Sequence, residues 1–232
     1  MNIFRISADL LHLASFFILI FKMKATKSCK GISFKTQLMY TLVFTCRYLD
    51  LFHVLGMMIT FNFAHITGLT LYNTFMKILF LAASYYIVYL MRTELKSTSD
   101  DARDTFVLWH ILAPCAVLAL IFNAQFTILE ILWTFSIYLE AVAVMPQLML
   151  LIETGEADSL SSHYMFAVGG YRALYLVNWV YRYATEPYYS NWIAWIAGFV
   201  QTALFGDFFY YYFVKIMSGD AALKLPTTAG EV

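Results

Sequence analysis

The chain has 232 residues, of which 61% are hydrophobic and 13% charged, and its 15 basic and 15 acidic side chains give a formal net charge of zero. Soluble domains run at about 45 to 50% apolar and about 25% charged, so this composition, with apolar runs along its whole length, excludes an ordinary soluble domain and indicates a polytopic membrane protein. Neutrality argues against a nucleic-acid partner. Cys29, Cys46 and Cys115 are scattered without CxxC spacing, which argues against a disulfide or metal framework.

At about 20 residues per membrane span, the predicted helices lie near residues 3–21, 36–56, 70–91, 106–122, 128–151, 163–183 and 191–215. The first begins without a basic n-region or small-residue cleavage site and reads as a retained helix rather than a signal peptide. Residues 54–69 are surplus to two spans and extend a helix or form a loop. Lys22, Lys24, Lys27, Lys30 and Lys35 crowd the first loop, Arg92, Lys96 and Arg103 the third, and Lys215 and Lys224 the tail. The intervening loops carry no Lys or Arg, so the positive-inside rule places the lysine-bearing loops and the C-terminus in the cytosol and the N-terminus in a lumen or outside. Offsetting by 125 residues lays Arg47-x-Leu49-x-Leu51 on Arg172-x-Leu174-x-Leu176. Helices one to three then correspond to five to seven as parallel repeats linked by helix four, the plan of SWEET transporters.

Ten charges fall inside these apolar stretches: Arg5, Asp9, Arg47, Asp50, Lys77, Glu130, Glu140, Arg172, Arg182 and Asp207. At about 2.5 to 3.5 kcal/mol per charge at a helix centre, they must face one another or water. In chain order, Arg5, Asp9 and His12 descend one stripe of the first helix at i, i+4 and i+7. Arg47 and Asp50 are i, i+3 on the second. Trp133, Ser136 and Glu140 share a face of the fifth. Tyr171, Tyr175, Asn178 and Arg182 form a stripe on the sixth, beside Arg172 and Trp179.

The expected result is a lumen-facing funnel with four arginines and few compensating acids at its mouth, suited to an anionic ligand because arginine's planar fork matches carboxylates. Deep Glu140, with aromatics near it, suits one cationic group, so an acidic peptide end fits. Arg47 with Asp50, and Arg5 with Asp9, are also readable as structural intrahelical pairs. Glu130 and Asp207 read as structural, and Lys77 as snorkelling to an interface. His12 reads as a buried histidine or a switch. No Ser-His-Asp, paired-carboxylate or metal-spaced set appears, so neither catalysis nor a cofactor is expected. The Pro146-Gln147 pair and the repeat suggest a rival reading as a SWEET or PQ-loop solute transporter.

Several long segments resemble one family. Asn2-x-Phe4-Arg5, Ser28-Cys29-Lys30-Gly31-Ile32-Ser33, Phe44-Thr45-Cys46-Arg47-Tyr48-Leu49-Asp50-Leu51-Phe52, the run from Leu129 to Glu140, Pro146-Gln147-Leu148 and Asp207-Phe208-Phe209-Tyr210 are similar to the KDEL receptors, the ER lumen protein-retaining receptor family. The similarity runs from Met1 to about residue 216, which implies a receptor domain over 1–216 and a cytosolic tail over 217–232. It also implies a seven-helix SWEET-like fold. Such a receptor captures escaped soluble ER proteins in the Golgi by a C-terminal Lys/His-Asp-Glu-Leu tetrapeptide, returns them in coat protein I vesicles and releases them at the higher pH of the ER.

By position, Arg47 would bind the terminal carboxylate, Arg5 and Arg182 the acidic side chains, and Glu140 with Trp179 the basic first residue. His12 would sense protons with Tyr171 and Glu140, while Asp50, Trp133, Arg172, Tyr175 and Asn178 would surround the pocket. Three departures stand out. The stretch around 54–69 is longer than in familiar members by about a dozen residues on the span-length count, Ser190 replaces an acid, and only Lys215 and Lys224 mark the tail.

Overall fold

The structure is a computed structural model in which residues 2–59, 67–157, 159–218 and 223–224 are described. The centre of the long 54–69 stretch, including His65, lies outside the described residues, as do most of the tail and the side chains of Lys215 and Lys224. Among the described residues the architecture is helical: α1 (Ile3–Thr26), α2 (Phe34–Arg47), α3 (Leu51–Ile59), α4 (Gly68–Arg92), α5 (Trp109–Ile121), α6 (Ile128–Val142), α7 (Met145–Thr154), α8 (Ser159–Thr185), α9 (Trp192–Leu204) and α10 (Gly206–Ser218). A two-residue antiparallel ladder pairs Glu156–Ala157 with Leu223–Lys224.

Local chemistry sets the helix starts. The Asn2 side chain accepts from the Arg5 amide, Ser33 from Thr36 and Thr127 from Glu130, while Thr67 and Thr70 cap α4 reciprocally. Each satisfies amides that a helix leaves unpaired at its first turn. Pro146 sits in the first turn of α7, where its missing N–H costs nothing, and Gly155 ends that helix in the left-handed region (φ 72°).

α1, α4 and the continuous run Ile128–Thr154 are long and apolar enough to cross a membrane, and so are two bent pairs, α2 with α3 (44°) and α9 with α10 (41°). The chain is a multi-pass membrane protein. Of the surplus residues, 54–59 continue α3, and α4 begins at Gly68. α1 shows why this fold needs a bilayer. Leu10, Phe17 and Phe21 are exposed on one side, while Asp9, His12, Phe16, Leu19 and Met23 are buried on the other, so the polar residues point inward and the apolar ones outward.

α1 packs most extensively on α8, and α2 on α6. α4 packs on both α1 and α2, as α9 packs on both α8 and α6. The α1–α8 approach is close because Gly170 has no side chain: a Cβ there would meet Leu11 Cδ2 at 3.0 Å. An aromatic layer of Phe16, Phe44 and Phe80 fills the bundle below His12, in contact with its ring.

Candidate functional site

A cavity of about 400 Å³ opens between α1, α2, α4, α6, α8 and α9. Of the peptide-binding residues expected from sequence, Arg5, Arg47, Trp133, Glu140, Tyr175, Asn178, Trp179 and Arg182 line it, and so do His12, Tyr171 and Arg172. The charged lining residues lie at two depths. The side chains of Arg5 and Arg182 are 30% and 33% exposed, those of Arg47, Arg172 and Glu140 14%, 7% and 2%.

The floor is an ionic cluster. Glu140 bonds Arg47 Nη1 at 2.5 Å, also pairs with Arg172 Nη2, and accepts from the Tyr171 hydroxyl at 2.6 Å. Arg47 additionally donates from Nε and Nη2 to the side chain and carbonyl of Ser136, at 3.1 and 2.9 Å. Two guanidinium groups on one carboxylate leave the floor with a net positive charge in a water-poor place, where an anion is favoured. The His12 ring stacks on Tyr171 at 3.8 Å between centroids, with planes 10° apart.

At the wall, Asp9 accepts from the hydroxyls of Tyr72 (2.9 Å) and Tyr175 and lies 3.9 Å from Arg5. Arg5 itself donates to Asn73 Oδ1 at 2.8 Å, and Asn2 donates to Asn178 at 2.8 Å. Arg182 forks onto Glu186 at 2.7 to 3.0 Å and lies 3.9 Å over the Tyr189 ring. That guanidinium holds the exposed Glu186 carboxyl below the ordinary range.

Without ligand, Glu140 is held by two arginines and a tyrosine. Three expectations are corrected by this geometry: the Arg47–Asp50 pair, the snorkelling of Lys77 and the shortage of compensating acids. Arg47 and Asp50 do not pair: the helix breaks at Tyr48–Asp50, the i, i+3 relation is lost, and Asp50 binds Lys77 instead. Asp50 therefore leaves the main cavity for an adjoining recess that also touches Lys77 and Glu130. Lys77 does not snorkel away, since Asp50 holds it beside the Tyr48 ring. The arginines are also better compensated than the sequence suggests, with Asp9, Asp50, Glu140 and Glu186 set against Arg5, Arg47, Lys77, Arg172 and Arg182.

Glu130 stands in the first turn of α6, 3.5 Å from Thr134 Oγ1, and Asp207 in the first turn of α10. Both complement a helix N-terminus. Tyr72, Asn73 and Asn191 line the cavity but were not singled out from sequence. Tyr72-Asn73-Thr74 was a polar step within an apolar run, and Glu186 follows Arg182 at i+4, so both signals were present.

The profile of the ER lumen protein retaining receptor family matches residues 28–182. The chain is 48% identical over 228 residues to ER lumen protein-retaining receptor B of Arabidopsis thaliana, covering 97% of this chain and 100% of that one. It is 50% identical over 226 residues to ER lumen protein-retaining receptor of Drosophila melanogaster and to ER lumen protein-retaining receptor erd-2.2 of Caenorhabditis elegans, again covering 97% of this chain and 100% of each relative. A charged cavity in a helical membrane bundle, carried on a chain alike to these receptors over nearly its whole length, settles the family: the chain belongs to the ER lumen protein retaining receptors.

Proposed function

We propose that this cavity binds the C-terminal tetrapeptide of soluble ER proteins, of the Lys/His-Asp-Glu-Leu type, more tightly at mildly acidic than at neutral pH. The observation that carries the reading is the floor of the cavity, where Arg47 and Arg172 share Glu140 and so retain positive charge for a carboxylate. Three of the five N–H groups of Arg47 have partners here, which leaves two for the peptide terminus. Arg5 and Arg182, nearer the mouth, take the acidic side chains. The basic first residue packs on Trp179 and Trp133 by cation–π attraction, and Glu140 joins it only when Arg47 turns toward the terminal carboxylate. His12, stacked on Tyr171 beside Glu140, is the proton sensor, and Arg172 couples it to the floor.

We place residues 1–216 in one receptor domain of seven spans, with the N-terminus and the cavity mouth in the lumen and a cytosolic tail at 217–232. The lysine distribution supports the orientation. The repeated packing, α4 on α1 and α2 as α9 on α8 and α6, supports two parallel triplets of SWEET type. Such a receptor would cycle between cis-Golgi and ER in coat protein I vesicles, embedded in membrane lipid throughout. Lys215, near the end of α10, and Lys224, in the tail, are the last basic residues of the chain, and replacing both should abolish retrieval of overexpressed cargo. Unchanged retrieval would move the sorting signal to loops 92–105 or 152–162.

The transporter alternative needs a path to the opposite end. Here Pro146-Gln147 is tied into backbone contacts and the aromatic layer closes the bundle beneath His12. Solute flux in proteoliposomes would discriminate directly. The test of the main reading is titration of purified receptor with free and amidated Lys-Asp-Glu-Leu peptides at pH near 5.5 and 7.4. Equal affinity for the two peptides would remove Arg47 from its role, and equal affinity at the two pH values would remove the switch.

A further inference from the structure

The His12 ring is a partition. On one side lies the ligand cavity; on the other is a smaller cavity of about 10 Å³, bounded by Ser15, Phe16, Gln37, Tyr40, Tyr164 and Val168. That volume matches a single water molecule. The polar atoms around it are deeply buried: Ser15 is 1% exposed, Tyr164 3%, and Gln37 and Tyr40 4% each. Ser15 Oγ donates to the His12 carbonyl at 2.6 Å and Gln37 Nε2 donates to Tyr164 Oη at 2.7 Å. Among the described residues the Tyr40 hydroxyl has no hydrogen-bond partner, an unfavourable condition for a buried donor if nothing relieves it.

We propose that this cavity is a built site for one water molecule and that Tyr40 is the residue that positions it against His12. The inference deepens, and rests on, the proton-sensing role given to His12. Such a water would give the Tyr40 hydroxyl an acceptor. Tyr40 donates its O–H to the water, and the water's two protons go to the remaining lone pairs of Ser15 Oγ and of Tyr164 or Gln37. The water's second lone pair then faces the imidazole. A neutral imidazole has one N–H, whereas the imidazolium has two and needs an acceptor for each. The water supplies the second acceptor inside an otherwise aromatic surround.

The charged groups facing His12 are Glu140 from α6, Arg172 from α8 and Arg47 from α2. Asp9 lies one turn away on α1, and α4 contributes Phe80 with Lys77 one turn above it. These charges are anchored to one another around Glu140 and Asp9, on the ligand side of the ring. The Tyr40 side offers only neutral dipoles. It therefore sets how readily the imidazole accepts a proton without competing for the ligand.

The experiment is Tyr40→Phe, which deletes one oxygen and preserves shape, applied to full-length receptor with His12→Ala as control. Peptide affinity is measured from pH 5 to 8, folding is checked by thermal midpoint, and both wild type and variant are imaged at a resolution that shows ordered water. We expect density within hydrogen-bond distance of Tyr40 Oη in the wild type and its loss in the variant. The pH at which affinity falls should move down by about one to two units, the size of a lost hydrogen bond to a charged group. Affinity at the acidic plateau should be kept. A wild-type map with other buried waters and none here, or an unchanged pH profile in Tyr40→Phe, would overturn the proposal. Persistence of the pH dependence in His12→Ala would instead overturn the sensor role of His12; the water site would then be judged by the density alone.

Discussion

Two polar regions interrupt this apolar bundle, and they are built differently. At the cavity, long charged side chains meet from five helices, and Arg5, Arg47 and Arg182 keep part of their surface open. At the other end of α2, short polar groups hold backbone. Gln147 accepts from the Ser33 amide (2.9 Å), donates to the Gly31 carbonyl (2.9 Å) and lends its own amide to Thr36 Oγ1 (3.0 Å). Asp100 accepts from the Gly31 amide at 2.6 Å, and Asp104 from Ser33 Oγ and the Lys35 amide at 2.9 and 3.2 Å. The knot uses directional bonds to fix two loops against α7. The cavity keeps donors in surplus over fixed partners. Polarity inside a membrane protein marks a site only where that surplus remains.

The contrast can be broken from either side, and the largest effect should come from the cavity floor. Arg47→Ala should lower peptide affinity by about 2 to 5 kcal/mol, the cost of truncating one partner of a buried charged pair. It also leaves Glu140 with Arg172 alone. Amidation of the peptide should cost wild type a similar amount and cost Arg47→Ala little more, a non-additivity that direct contact requires. Arg47→Lys should stay impaired because an ammonium cannot fork. Calorimetry with both peptides on all three proteins checks this, and additive losses would place Arg47 away from the carboxylate.

In the knot, Gln147→Leu should act on stability instead. It strands a buried amide and a buried carbonyl at about 1 to 3 kcal/mol each, so the thermal midpoint should fall while the affinity difference between free and amidated peptide stays at the wild-type value. A change in that difference would couple the knot to the cavity.

How far each region could be read from sequence follows from the same distinction. Charges in apolar helices are costly, so Arg5, Arg47, Arg172, Arg182 and Glu140 announced a shared cavity, and the 3.6 period placed His12 on the Arg5 stripe. Pairing could not be read in the same way. That Glu140 would take both Arg47 and Arg172, and that Asp50 would turn to Lys77, depends on a break at Tyr48–Asp50 and on α2 crossing α6, which are tertiary facts. The knot was nearly invisible. Gln147 and Asp104 show no period, and their partners are backbone amides, which every residue type shares. Asp104 sat unremarked in a charged loop, where a solvated acid is the default reading.

The pH switch sharpens the cavity side with a smaller effect. If affinity is linked to one proton on His12, as proposed, binding should be strongest when the imidazole is protonated. It weakens as pH rises through its titration, by at most a factor of ten per unit. By linkage the peptide must in turn favour the protonated ring. His12→Ala should therefore bind weakly at mildly acidic pH, at about the neutral-pH affinity of wild type, and give a nearly flat profile between pH 5.5 and 7.4. A steep residual slope would transfer the sensing to another group at the cavity.

The smallest expected effect concerns Trp179, the wall between the cavity and an apolar groove that Trp192, Trp195 and Phe199 form on the outer face of α8 and α9. Gly198 lies behind this wall. A Cβ there would stand 2.6 Å from Trp179 Cζ3 and 3.2 Å from Leu176 Cδ2, so Gly198→Ala must displace the indole. The ring cannot shrink, and Leu176 blocks one escape, so it shifts toward the cavity and alters the surface offered to the basic first residue of the peptide. The penalty should be about 1 kcal/mol, in the range of a cation–π contact at a partly exposed site, or several-fold in affinity. It should also differ between Lys- and His-initiated peptides, whose cations have different shapes, while the amidation penalty set by Arg47 stays at its wild-type value. Competition binding with the two peptides reads that ratio directly. An unchanged Lys/His ratio in a Gly198→Ala protein of normal thermal midpoint would show that Trp179 does not touch the first residue.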